Sequence, residues 1–166
     1  MTKPSDPRSA IGIHDEPGHL IRRAQQIAVS KFHEVHGRHV TPIQYAILRT
    51  LHETPGIDQV TLAQMIALDT STTADIAARL ETKGWIRREA DAADRRRKLL
   101  WITPEGEELI LQLQRAVRRA QQRILGPLDG AERTQFGILL GKLVAGHEAA
   151  ARDVAIGLGL DAAAPA

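Results

Sequence analysis

Four consecutive cations, Arg95, Arg96, Arg97 and Lys98, stand between an acidic, alanine-padded stretch and a short apolar run in residues 90–103. Runs of like charge are ordinarily solvated surface. The same run at the tip of a hairpin can instead reach for phosphate, or enter a narrow minor groove, whose negative potential draws in arginine. A second group lies upstream, in Thr70, Ser71, Thr72 and Thr73. Small hydroxyl side chains and free backbone N–H groups on the opening turn of a helix suit phosphates, base edges and thymine methyl groups. Arg79, two turns further on, can reach a phosphate or a guanine, or it can simply pair with Asp75 four residues away.

Other chemistry finds little support. The chain has no cysteine, which removes disulfides, thiolate catalysis and thiol redox switching. His33, His36 and His39 form an evenly spaced triplet, but Gly37 interrupts the helix between them, so only His33 and His36 share a face. Those two are candidate metal ligands, with Glu105, Glu107 and Glu108 as carboxylates elsewhere. The alternative is a polar helix end, where a cationic histidine suits the dipole. We therefore expect no metal site and no required cofactor. Phosphate-cradling glycine loops and glycine-framed serines are missing, and His and carboxylates are scattered rather than convergent. The protein is not expected to be an enzyme.

The elements that position these groups follow from periodicity and caps. Residues 1–18 are rich in Pro, Asp, Ser and Gly and read as a flexible arm. Leu20, Ala24, Ile27, Ala28 and Phe32 recur at helical spacing up to Gly37. Thr41-Pro42-Ile43-Gln44 is a capping box with proline at the first helical position, and the helix carries Ile43, Ala46, Ile47, Leu48 and Leu51 inward. A short extended piece, 57–60, precedes a second capping box at Thr61-Leu-Ala-Gln64 and a helix over 62–68. A further helix spans 70–83 and closes at Gly84, with Trp85 making the apolar contact after the stop. Two extended stretches, 85–89 and 98–103, form a two-stranded hairpin. Thr103-Pro104 opens a long amphipathic helix to 125, and Asp129-Gly-Ala-Glu132 caps a final one.

Two helices joined by a tight turn and followed by a hairpin outline a winged helix-turn-helix in a mainly α chain with a small β wing. In that setting the hairpin cations lie where the neighbouring minor groove would be, and Asp94 would hold the loop and orient an adjacent arginine. The chain divides into the arm 1–18, a dimerisation helix 19–40, the reading lobe 41–103, dimerisation helices 104–155 and a frayed tail 156–166. The outer helices have apolar faces too wide for the middle to cover, which implies a homodimer.

The element order and Asp94-Arg95-Arg96 resemble the MarR (multiple antibiotic resistance regulator) family. Two further matches are Leu80-Glu-Thr-Lys-Gly84-Trp85-Ile86 and Leu100-Trp-Ile-Thr-Pro-Glu-Gly106. The resemblance spans roughly residues 19 to 150. It implies a homodimer on a pseudo-palindromic DNA operator, with Asp94 and Arg96 as the wing-tip pair and Arg95 and Arg97 as accessory phosphate contacts. It also implies an effector pocket between the dimerisation helices and the reading lobe. Candidate effector ligands are His14, His19, Arg22, Arg23, Gln26 and Tyr45; a guanidinium would take a carboxylate, and a His or Tyr a ring substituent. The stretch His19-Leu-Ile-Arg-Arg-Ala-Gln-Gln26 is similar to regulators of aromatic-acid and nicotinate degradation. A small aromatic carboxylate such as 6-hydroxynicotinate is then the expected effector, and release of a repressor the expected response.

With 22 basic and 20 acidic residues among 166, the formal charge is only +2, so a nucleic-acid surface must be local rather than global. There is no signal-peptide-like start and no membrane-length apolar run, so no membrane partner and a cytoplasmic location are expected. Two rival readings are a metal-responsive DNA-binding regulator and a winged-helix module that binds protein. The second is disfavoured because a protein-binding wing would more often display apolar or aromatic anchors.

Overall fold

The computed structural model describes residues 12–157, with side chains through Glu148. The chain forms two compact bodies divided after Ile124. The first contains a 3-10 turn at Ile13–Asp15, α1 (Pro17–His36), α2 (Pro42–Glu53), β1 (Ile57–Asp58), α3 (Gln59–Met65), α4 (Thr70–Thr82), β2 (Ile86–Ala90), β3 (Lys98–Ile102) and α5 (Pro104–Ile124). The second contains α6 (Gly130–Gly157). This is the expected mainly α architecture with a small β wing. The helix begins at Pro17, so the last two residues of the expected arm are helical. Residues 1–11 of that arm, and the tail from 158, lie outside the described residues.

Helix ends are set by local chemistry. At α2 the Thr41 hydroxyl accepts the Gln44 N–H while the Gln44 side chain accepts the Thr41 N–H, both at 3.2 Å, forming the expected capping box. The same reciprocal pattern opens α6 between Asp129 and Glu132. The expected box at Thr61 does not form. Asp58 caps α3 instead, accepting the Val60 and Thr61 N–H groups at 2.9 and 3.0 Å and the Thr61 hydroxyl at 2.8 Å. With the carboxylate of Asp58 capping the first N–H groups, the helix starts three residues earlier and Thr61 becomes a helical residue, so the helix runs 59–65 rather than 62–68. Its exit is tight: Ala67 sits at φ 54, and the Leu68 N–H returns to the Ala63 carbonyl at 2.9 Å.

The sheet has three strands, not two. β1 adds to the hairpin on the far side of β3, giving the order β1-β3-β2, with Ile57 opposite Leu100 and Ile86 opposite Ile102. The buried core gathers Ile47, Leu48 and Leu51 of α2, Leu62 of α3, Ala77 and Leu80 of α4, Ile86, Leu100, and Ile110 of α5. Burying each of the larger side chains is worth roughly 1.5–3 kcal/mol. The core of the reading lobe therefore does not stop at residue 103 but takes in the first turns of α5.

The junction into α5 is compact. The Thr103 hydroxyl donates to the Gly84 carbonyl at 2.6 Å and accepts the Gly106 N–H at 3.1 Å, while the Thr103 N–H reaches the Trp85 carbonyl at 3.0 Å. Gly106 is buried against the same Trp85 carbonyl: a Cβ there would lie 2.1 Å from its oxygen and 2.8 Å from Ile102 Cγ1. Not every apolar residue of the outer helices turns inward. Ile43 on α2, Leu20, Ile21 and Ile27 on α1, and Phe136, Ile138, Leu139, Leu140, Leu143 and Val144 on α6 are exposed in the single chain.

Candidate nucleic-acid interface

The start of α4 is organised by Asp69. Its carboxylate accepts the Ser71 hydroxyl at 2.6 Å and the Thr72 N–H at 2.7 Å, and these bonds hold it well below the usual carboxylate range. The hydroxyl group of Thr73 is not available to DNA, contrary to expectation. Thr73 is fully buried and its Oγ1 donates to the Asp69 carbonyl at 2.9 Å, because its helical phase places it with Ala77 and Leu80 on the core face. Thr70 and Ser71 are exposed and Thr72 is half-buried. Ser71, Asp75 and Arg79 recur every four residues as an exposed stripe, flanked by half-buried Ala74 and Ala78. Among the described residues Arg79 forms no ion pair, so the alternative of an Asp75 partner is not realised.

The wing tip is a folded loop. The Asp94 carboxylate accepts the Arg96 N–H at 3.0 Å, the Asp94 carbonyl accepts the Arg97 N–H at 2.9 Å, and the Asp91 N–H returns to the Arg97 carbonyl at 3.1 Å. Asp94 thus holds the loop as expected, but through backbone N–H groups rather than a neighbouring guanidinium. Arg97 does not stand free as an accessory phosphate contact. Its guanidinium reaches Asp58 at 2.9 Å and Asp91 at 3.7 Å, drawn there because β1 lies alongside β3. Arg95, Arg96 and Lys98 are exposed and without ion pairs among the described residues. On the other strand Arg88 grips Glu81 of α4 through Nε at 2.7 Å and its backbone N–H at 3.1 Å, lowering the Glu81 carboxyl and tying wing to helix.

Asp58 is therefore shared between the cap of α3 and the base of the wing. Partial burial alone would raise its carboxyl, but hydrogen bonds from the Thr61 backbone and hydroxyl, from Arg97 and from the Val60 backbone outweigh this and lower it to about 2. In the unfolded chain it returns to roughly 3.9. A carboxyl depressed in the folded state contributes stability that is complete above about pH 5 and lost as the pH falls towards 2, here about 2.5 kcal/mol. Acid unfolding of the wild type should be steeper across that window than that of Asp58→Asn, which keeps a capping oxygen but no titrating group. Parallel curves, measured by denaturant titration at each pH, would remove Asp58 as the acid-sensitive clamp.

A cavity of about 220 Å³ opens between α1, α2 and α5, lined by Gln25, Val29, Phe32, Tyr45, Gln121 and Ile124 among others. Tyr45 is the one effector candidate that lines it. Gln26 faces a separate open cleft of about 640 Å³ with Ser30, His33, Glu34 and Arg38. His14 and His19 pack edge to face near the start of α1, with ring centroids 5.6 Å apart. Arg22 and Arg23 are exposed on the next turn and line neither space. Arg22 nevertheless lies on the same helical stripe as Gln25, Val29 and Phe32, one turn before the cavity, whereas Arg23 shares its stripe with Gln26 and Ser30. Gln25 and Gln121 were not anticipated; the spacing of Gln25 from Phe32 is the sequence signal that could have found the first.

The two metal candidates part company. His36 is buried, its ring 4.4 Å from that of Phe32 and stacked towards Tyr45, and burial lowers its pKa. The His33 Nδ1 is bonded to the Gly37 carbonyl at 2.9 Å. Among the described residues no group of three or more His, Asp or Glu gathers as a metal site would require. No helix there is long and apolar enough to cross a membrane.

A helix with an exposed polar stripe, followed by an arginine-tipped wing braced against it, defines a winged helix-turn-helix with the build of a DNA-binding lobe. Residues 40–98 match the MarR family. The chain is 36% identical over 105 residues to the transcriptional regulator HosA of Escherichia coli O111:H-, covering 63% of this chain and 78% of HosA. It superimposes with a TM-score of 0.77 on the PcaV regulator of Streptomyces coelicolor, crystallised with its natural ligand, at 34% identity and covering 82% of this chain and 97% of PcaV. For BpsR of Bordetella bronchiseptica, whose DNA binding is regulated by 6-hydroxynicotinic acid, the TM-score is 0.72 and the identity 29%, covering 76% of this chain and 97% of BpsR. The chain belongs to the MarR family: it is a transcriptional regulator and not an enzyme.

Proposed function

We propose that the protein is a homodimeric repressor that binds a pseudo-palindromic operator and leaves it when a small aromatic carboxylate binds. The observation that carries the effector reading is the apolar cavity bounded by Phe32, Tyr45, Val117 and Ile124, with Gln25 and Gln121 as its polar edges. Its lining suits a flat ring with one or two polar substituents. Arg22, on the cavity stripe of α1, is the residue we assign to the carboxylate. The regulation of BpsR by 6-hydroxynicotinic acid supports this class of effector, and 6-hydroxynicotinate is the first compound to test. The exposed apolar residues of α1 and α6 support a second copy as partner.

On DNA, α4 would occupy the major groove and residues 91–98 the flanking minor groove, with half-sites about one helical turn apart. The effector acts by binding more tightly to dimers whose lobes are wrongly spaced for DNA, and shifts repression only by that difference in affinity.

The test is retention of DNA fragments from upstream of the protein's own gene, titrated with salt, then with aromatic acids including hydroxynicotinates, then with zinc and chelator. Salt-sensitive binding released by one aromatic acid supports the reading; release by metal or chelator would replace it. In the same assay Arg22→Ala should bind DNA as the wild type does while needing at least tenfold more acid for release, an estimate for one lost charge-assisted contact. An unchanged release curve would move the carboxylate partner elsewhere.

A further inference from the structure

We propose that Asp75 reads a base, selecting cytosine in each half-site; this rests on α4 entering the major groove. Asp75 is the middle member of the exposed stripe Ser71, Asp75, Arg79. Its neighbours on that face are Ala74 and Ala78, whose side chains are too short to hold the helix away from the groove. No cation lies within ion-pair distance of it among the described residues, and it neither caps a helix nor braces the wing. Asp69 at the cap and Glu81 against Arg88 are carboxylates of α4 and its cap with structural partners. Asp75 has none.

An unpaired carboxylate carried towards a polyanion is repelled by every phosphate it approaches. It becomes favourable only where a base offers it a proton. In the major groove the donors are the exocyclic amines of cytosine and adenine. Adenine N6 sits beside N7, an acceptor that repels a carboxylate oxygen, whereas cytosine N4 has no acceptor on the same base edge. Cytosine is therefore the better partner. Arg79 stands one turn on, about 6 Å along the axis, where its charge offsets that of Asp75 against the backbone.

The side-chain code makes the proposal sharp, because asparagine prefers adenine through N6 and N7. Full-length wild type, Asp75→Asn and Asp75→Ala would each select binding sites from a pool of randomised duplexes at one fixed salt concentration. Wild type should enrich a two-fold symmetric motif with a C·G pair that Asp75→Asn turns to A·T at the same symmetric positions. Asp75→Ala should lose preference there and keep it elsewhere. Discrimination at that pair should change by roughly five- to a hundredfold. An identical motif for all three proteins overturns the role of Asp75 while leaving α4 as the reading helix. If the wild type enriches no motif, the DNA-reading assignment itself fails, and with it the role of Asp75. Thermal unfolding of the variants separates either result from misfolding, since an exposed, unpaired position should leave Tm unchanged.

Discussion

Gly106→Ala should lower the unfolding free energy by about 3–5 kcal/mol, the range of severe backbone and packing defects. An added Cβ would stand 2.1 Å from the Trp85 carbonyl oxygen and 2.8 Å from Ile102 Cγ1. The obstacle is backbone, and that backbone is pinned because the same carbonyl accepts the Thr103 N–H. Relief requires α5 to move away from β2, opening the packing around Ile110 and Leu100. Thermal unfolding should show a fall in Tm of roughly 10 °C or more. Gly130→Ala at the start of α6 is the control: nothing lies within 4 Å of its added Cβ, and alanine is no worse than glycine in a helical turn. A Tm for Gly106→Ala within two or three degrees of wild type, as an approximate threshold for a 1 kcal/mol effect, would show that α5 does not dock as described.

The second large effect is on DNA rather than on folding. Arg96 is exposed at the wing tip and its backbone N–H is held by Asp94, while among the described residues its guanidinium has no ion pair. Removing a minor-groove or phosphate arginine typically costs about 1–3 kcal/mol in each lobe. Arg96→Ala should therefore weaken operator binding by roughly a hundredfold in a two-lobed complex, with a shallower dependence on salt and an unchanged Tm. Both halves of that expectation matter. Equal affinity would take the wing tip out of recognition, and a lowered Tm would mean that Arg96 braces the fold instead.

Most features decided within one turn of chain were legible in the sequence, the cap of α3 at Asp58 rather than Thr61 being the exception. Thr41 with Gln44, Asp129 with Glu132, and the stop at Gly84 all depend on neighbours three or four residues apart, and all three form. Features that depend on distant partners were not. The third strand exists because Ile57 meets Leu100, and Arg97 is committed because that pairing brings Asp58 beside it. Neither meeting leaves a local trace. Thr73 illustrates a different gap: all four residues of Thr70–Thr73 are small and polar, and only the packing of Ala77 and Leu80 decides which of them faces inward. Around the cavity Tyr45 was identifiable by chemistry and Gln25 by its spacing from Phe32, while Gln121 depends on how α1 lies against α5.

The Thr103 hydroxyl joins three parts of the machine at once: the stop of α4 at Gly84, the exit of the wing and the first turn of α5. β3 ends at Ile102 and α5 begins at Pro104, so one residue separates them. In mechanical terms this is a gear without backlash. The long helix that walls the cavity is also the shaft on which the reading head is mounted. No slack linker stands at that junction to absorb a twist of the helix, so a turn of α5 would have to be taken up by the lobe itself or by the bonds of Thr103.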